Sequence, residues 1–175
     1  MDQDDKQREL KAKIKKIFFS IMSIFILVIF VLYTVMTYDL QDIVAGLLVS
    51  HKVDDLQVAY KGYVITFSQE VYKDLRSLYF ANLQQEFKAC LSGKKDGNQY
   101  DITSLSVPWI FSQSIFQVVS SSCREGTLID LHSHPYKHCI FSEQDISSYR
   151  NVRKTSPDII LGLMCEPDRF TFYRE

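Results

Sequence analysis

The chain predicts an α/β domain, a mixed sheet flanked by helices, preceded by one transmembrane helix. Three observations predict it. From Ile17 to Tyr38 no residue carries a charge, and roughly 20 such residues span a bilayer as a helix. Past Lys61, segments with the alternation of strands take turns with segments of helical spacing, in the order strand, helix, hairpin, helix, strand, helix, strand pair. The length of 175 residues holds one modest domain and an appendage.

The appendage reads from its flanks. Residues 1–16 form a basic segment in which Lys6, Arg8, Lys11, Lys13, Lys15 and Lys16 precede the apolar run, while only Lys52 and Lys61 lie soon after it. Lys/Arg bias sets orientation and Asp2, Asp4, Asp5 and Glu9 count for little, so the N-terminus is expected in the cytoplasm and the C-terminal domain on the other side. A cleaved signal peptide has a shorter apolar region and a small-residue cleavage site, which Met36-Thr37-Tyr38-Asp39 does not offer. Residues 17–38 are therefore read as an uncleaved span. The net charge of -1 gives no broad basic field, and no nucleic-acid partner is expected.

Residues 39–60 mix apolar groups with Asp42, Asp54 and Asp55 and are read as a juxtamembrane connector; residues 61–175 are read as the domain. Tyr63, Ile65 and Phe67 alternate as a strand does. Ser68 is placed to cap a helix carrying Val71, Leu75 and Leu78 on one stripe and Tyr72, Tyr79 and Leu83 beside it. Glu86–Gly93 and Tyr100–Val107 read as a hairpin around Lys94–Asn98, since Asp-Gly and Gly-Asn favour positive-φ turns. Periodicity leaves Ser112–Cys123 open between helix and strand. A strand after Gly126, a helix from about Ser142, a strand Asp158–Cys165 and a strand Arg169–Tyr173 complete the reading. Cys90, Cys123, Cys139 and Cys165 form no C-x-x-C pair, so free buried thiols are the default; an oxidising compartment would permit one disulfide, of open pairing. His51 has no visible partner, and His138 and Cys139 read as loop residues.

The most informative stretch is His132-Ser133-His134-Pro135, followed by Ser142 and Asp145. Alternate side chains of a strand share a face, so His132 and His134 can converge on one ion, and Pro135, with no N–H, ends the ladder. Two imidazoles and a carboxylate are the ligands of a catalytic zinc site, three protein groups leaving the fourth position open. Ser142-Glu143-Gln144-Asp145 is also a helix start with a capping box, and capping would present Asp145. Asp130 shares the parity of His132; it reads equally as an acceptor for an imidazole N–H or as a solvent-facing charge.

The pattern His-x-His, seven residues, Ser, two residues, Asp resembles that of the JAMM (MPN-plus) zinc metalloproteases. The upstream Glu86-Phe87-Lys88-Ala89-Cys90-Leu91-Ser92-Gly93 is similar to that family's glutamate segment, with Ala89 in place of its first glycine. The likeness runs from about Gly62 to the C-terminus and implies the deaminase-like α/β fold, with a helix at Ser112–Cys123. Deaminase chemistry itself is not indicated, since H-x-E and P-C-x-x-C are missing. An amidohydrolase barrel, which opens on a similar Asp-x-His-x-His strand, needs roughly 250 residues, and too little chain follows His134.

The resemblance implies Zn2+ held by His132, His134 and Asp145, Glu86 as general base and then general acid, and Ser142 as oxyanion donor in hydrolysis of an amide or isopeptide bond. The competing expectation is a catalytically silent metal-binding interaction domain of the same fold. The resemblance implies a protein or peptide substrate of the ubiquitin-like kind, in cytosol, whereas the positive-inside reading favours an envelope protein or peptide crosslink. The substrate stays open between them.

Overall fold

The computed structural model describes residues 3–37 and 40–175. Met1 and Asp2 of the basic segment, Tyr38 of the expected span and Asp39 of the expected connector lie outside the described residues. Two compact units divide between Gln41 and Asp42.

The first unit is dominated by one helix, α1 (Gln3–Thr37). Within it Gln7–Met36, with a mean hydropathy of 2.7, is long and apolar enough to cross a membrane. At 1.5 Å per residue, Ile17–Thr37 alone measures about 30 Å, the thickness of a bilayer's hydrocarbon. The basic residues occupy the preceding turns, where Glu9 and Lys13 pair at 3.0 Å across one turn.

The second unit begins earlier than the expected domain boundary. The stretch read as a connector contributes α2 (Leu40–Val49) from Asp42 onward, β1 (His51–Lys52) and β2 (Gln57–Tyr60). There follow β3 (Tyr63–Phe67), α3 (Gln69–Ala81), β4 (Lys88–Asp96), β5 (Gln99–Ser106), β6 (Ile110–Gln113), β7 (Val118–Ser120), β8 (Thr127–Ser133), α4 (Glu143–Arg153), β9 (Ile160–Glu166) and β10 (Arg169–Tyr173). Eight strands form one mixed sheet in the order β1-β10-β9-β8-β4-β5-β3-β2. The β3/β5 and β8/β9 pairs are parallel and the other neighbours antiparallel. β1 and β2 sit on opposite edges although four residues join them, so the sheet curls until its edges approach. His51 meets Tyr60 edge-on at 5.9 Å, and Tyr60 lies 6.1 Å from Phe172 across that seam.

The two faces of the sheet take different helices. On one, Val71, Leu75 and Tyr79 of α3 pack with Ile65, Phe67, Leu91, Ile102, Ile129, Leu131 and Phe170 in the main core. Ser68 caps α3 through the Val71 N–H, and the helix ends at Asn82, whose N–H returns to the Tyr79 carbonyl. Leu83, expected on the helix stripe, falls beyond that end and is exposed. On the other face, Tyr149 of α4 packs with Ile159 and Leu161 and with the flanking Phe141, Ile146 and Tyr173. Because β8 alternates, Ile129 and Leu131 face α3, leaving Asp130 and His132 on the α4 side, level with Leu161 and Leu163 of β9.

Three expectations are corrected. The β4–β5 ladder continues through Lys94↔Asp101 to Asp96↔Gln99, so the five-residue turn shrinks to Gly97-Asn98, the two-residue length that matches strand twist. Glu86 lies just before β4 rather than in it. Ser112–Cys123 is no helix: β6 and β7 form a separate antiparallel hairpin. Its turn is held by the Ser114 hydroxyl, which accepts from the Phe116 and Gln117 N–H groups. Val118, Val119 and the serine run after them disfavour a helix, being β-branched or prone to bond their own backbone.

The cysteines also depart from expectation. None is free among the described residues; Cys90 pairs with Cys123 and Cys139 with Cys165. The first bridge ties β4 to the chain after the β6–β7 hairpin. The second ties the loop after β8 to β9. Bridges of this kind contribute about 2–4 kcal/mol each, largely by restricting the unfolded chain.

Candidate metal centre

Strand geometry and one helix cap assemble the site. Gly126, at φ +86°, makes the turn into β8, a left-handed conformation that glycine takes without a Cβ clash. β8 then delivers His132, and His134 follows one residue past the strand's end on the same face. The His134 N–H still reaches the Met164 carbonyl at 3.2 Å, which extends the parallel alignment with β9 up to the site. Both imidazoles are buried. The Phe141 ring lies 5.9 Å from that of His132 and the His138 ring 6.0 Å from that of His134.

Asp145 arrives from α4. Ser142 is the N-cap: its hydroxyl accepts from the Asp145 N–H at 3.1 Å and donates to Asp145 Oδ2 at 2.7 Å, and its own N–H donates to the same oxygen at 2.8 Å. The capping box thereby fixes the carboxylate that faces the histidines. His132 Nε2 lies 3.4 Å from Asp145 Oδ1, His134 Nε2 3.6 Å from Asp145 Oδ2, and the two Nε2 atoms 3.2 Å from each other. His132, His134 and Asp145 each turn one ligand atom into a space where all three lie within 4.8 Å of one another. Burial works against the Asp145 charge, but hydrogen bonds from His132, His134 and Ser142 hold its carboxyl well below the usual carboxylate range.

This donor set fits a borderline metal. A tetrahedral ion with ligand bonds of about 2.0–2.1 Å sets its ligand atoms about 3.3 Å apart, close to the 3.2 Å between the two Nε2 atoms and the 3.4 Å from His132 Nε2 to Asp145 Oδ1. Two nitrogens and one oxygen suit zinc, whereas calcium and magnesium call for oxygen shells.

Glu86 is the fourth group at the site. It is buried, and its Oε1 lies 3.6 Å from His134 Nε2. Burial pushes its carboxyl above the ordinary glutamate value, with Asp145 adding to the rise and both histidines opposing it. The unexpected hairpin holds it in place. The Glu86 N–H donates to the Ser114 carbonyl at 2.8 Å, and the carboxylate accepts from the Val118 backbone. Ser133, between the two histidines and on the opposite face, locks the neighbouring residue. Its hydroxyl accepts from the Phe87 N–H and its own N–H donates to the Phe87 carbonyl, both at 2.9 Å.

The structure thus brings together four of the five residues singled out from the sequence, and Ser142 stands behind Asp145 rather than free to approach a ligand. Asp130 takes neither expected role. It is buried against Lys88, whose Nζ lies 3.0 Å from both carboxylate oxygens. His138 points to Asp42 of α2 at 3.7 Å and is no member of the cluster.

The Cys139–Cys165 bridge, which sequence reasoning did not identify, ties the loop joining His134 to Ser142 to β9. The Cys139 carbonyl accepts from Thr171 Oγ1 at 2.7 Å, and the Cys165 carbonyl from Tyr79 Oη at 2.8 Å. Both sulfurs belong to buried residues, so the loop that sets the distance from His134 to Asp145 is pinned from two elements. No protein-family model matches the chain, and no curated protein matches it significantly.

Proposed function

We propose that the chain is a membrane-anchored, zinc-dependent hydrolase of amide or isopeptide bonds, similar to the JAMM metalloproteases. The observation that carries this reading is the convergence of His132, His134 and Asp145 with a buried, charge-disfavoured Glu86 3.6 Å from one of them. A purely structural metal site is closed by four ligands; a three-ligand set beside a buried carboxyl is the arrangement of a catalytic one.

His132, His134 and Asp145 would hold the ion. When bound, zinc polarises a carbonyl and makes water acidic enough to ionise near neutrality. Glu86 supplies the proton carrier. Its carboxyl, 3.6 Å from His134 Nε2, is placed to take a proton from water and return it to the departing amine. Ser142 keeps Asp145 charged and oriented. Its hydroxyl proton is directed at Asp145 Oδ2, so donation to an oxyanion requires that bond to be exchanged. Ser133 and the β6–β7 hairpin hold Glu86 at its reach, and the flanking Phe141 shields the His132 side from water.

The test uses the full chain in detergent. Hydrolysis of isopeptide and peptide probes should disappear on chelation and return with one equivalent of zinc. Full zinc occupancy without hydrolysis of any probe would replace this reading with the silent metal-binding domain.

Two independent features support one side of the membrane for the domain. Six basic residues precede the apolar run, and the domain carries two disulfides, which persist in oxidising compartments and are rare in the cytosol. Both support a cytoplasmic N-terminus and a non-cytoplasmic domain, which turns the substrate away from ubiquitin-like conjugates and toward an envelope protein or peptide crosslink. Protein alkylated in intact cells before lysis should carry no label on its cysteines. Labelling of all four would put the domain in a reducing compartment.

A further inference from the structure

α2 leaves most of its large apolar residues uncovered by the domain. Its single charge, Asp42, is exposed and lies 3.7 Å from His138, and Gly46, one turn on, is buried. A Cβ at Gly46 would stand 3.0 Å from both Cβ and N of Cys139, so the helix backbone rests directly on the metal-site loop. Its large apolar residues are largely exposed: Leu48 81%, Val44 57%, Val49 52% and Leu47 38%. Val44, Leu47 and Leu48 fall at i, i+3 and i+4, one stripe of the helix. The C-terminal end of α2 is fixed as well, with Arg169 Nη1 donating to the Leu47 carbonyl at 3.4 Å and to Ser50 Oγ at 3.2 Å. An amphipathic surface helix of a soluble domain carries polar or charged groups on its outer stripe.

We propose that α2 lies on the membrane surface, with Val44, Leu47 and Leu48 seated in the lipid, and that it thereby holds the metal-site loop against the bilayer. The proposal rests on reading α1 as a membrane span. Given that span, the occupant follows from the chain itself. Only Tyr38 and Asp39 separate α1 from α2, and two residues reach no further than about 10 Å. An outward apolar stripe tethered that closely to a bilayer meets the headgroup and acyl boundary, where such faces bury about 5–10 Å deep. Because Gly46 touches Cys139 and Asp42 faces His138, the loop from Pro135 to Ser142 follows the helix. The amide bond presented to the site is then one within reach of the membrane surface.

The full chain, reconstituted in phosphatidylcholine vesicles, provides the test. Trp109 is the sole tryptophan, so Trp109→Phe gives a silent background. In it, Leu48→Trp places a reporter on the outward face, where the exposure of the site admits the larger ring, and Val44→Trp repeats the measurement one turn away. Phe30→Trp reports on the span. Both α2 reporters should lose emission in vesicles brominated near the headgroup relative to unbrominated ones, and the Phe30→Trp reporter in vesicles brominated deep in the acyl chain. Quenching of the span reporter with none at positions 44 and 48 would overturn the proposal and leave the span intact. The same result with blue-shifted α2 emission would give the stripe to a second copy of the chain. No quenching at any of the three would remove the span and the proposal together.

Discussion

Glu86→Gln is expected to leave zinc bound and to lower turnover by about 10²–10⁴-fold, the usual contribution of a positioned acid–base group. The substitution keeps size and polarity. An amide in this place can still accept from the Val118 backbone, the bond that now helps to hold the carboxylate, and the Glu86 N–H still donates to Ser114. What it cannot do is take a proton and give it back. The buried carboxyl 3.6 Å from His134 Nε2 is the only acid among the described residues that shares the pocket with the three candidate ligands; Asp130 is occupied by Lys88. Zinc content and hydrolysis measured on the same sample separate the roles. Undiminished hydrolysis at full zinc would move the proton carrier elsewhere, and loss of zinc would make Glu86 a ligand.

The parts of this site that could be read from the sequence are those fixed locally. The alternation of a strand puts His132 and His134 on one face, and a capping box puts Asp145 at a set distance from Ser142; both are rules of a few residues, and both are met. The same holds for Ser68 and α3, and for the Gly126 turn. What local patterning does not explain depends on contacts distant along the chain. Glu86 belongs at the site because β4 aligns Lys88 with His132 and because a hairpin around Ser114 reaches back to it. Nothing in residues 112–123 announces that task, and their mixed periodicity favoured neither structure.

The disulfides were illegible for a related reason. Cys90 and Cys123 are 33 residues apart and Cys139 and Cys165 26 apart, and their pairing is decided by which strands neighbour one another. The segment before Tyr60 looked like a connector because β1 is two residues long and β2 four. Strands so short earn their place only from partners: His51 and Lys52 from β10, and the β2 residues from β3. Curling of the sheet, which makes both edges of one short connection, has no signature in local patterning.

His132→Ala, His134→Ala and Asp145→Ala should each reduce zinc affinity at least about 100-fold, since loss even of a group that only supports a ligand costs about 10–100-fold and a three-ligand site has none to spare. Hydrolysis should fall with occupancy in all three. The variants are distinguishable by stability, and this is what separates a metal centre from a cluster of hydrogen bonds. Without metal, Asp145→Ala removes the acceptor of both the Ser142 N–H and the Ser142 hydroxyl, while the hydroxyl still caps the residue-145 N–H, so unfolding should be easier by about 1 kcal/mol, within the range for a helix N-cap. The histidine variants touch no cap; in metal-free protein each removes the 3.2 Å contact between the two ring nitrogens and one hydrogen bond to the buried Asp145 carboxylate. Zinc should therefore raise the unfolding temperature of the unsubstituted chain by the linkage expected of a ligand bound only to the folded state, and should do so far less in any of the three variants. If all three kept one equivalent of zinc through dialysis, the ion would be held elsewhere. If zinc left the unsubstituted chain's unfolding temperature unchanged, the convergence of these side chains would be a hydrogen-bonded cluster with no metal to serve.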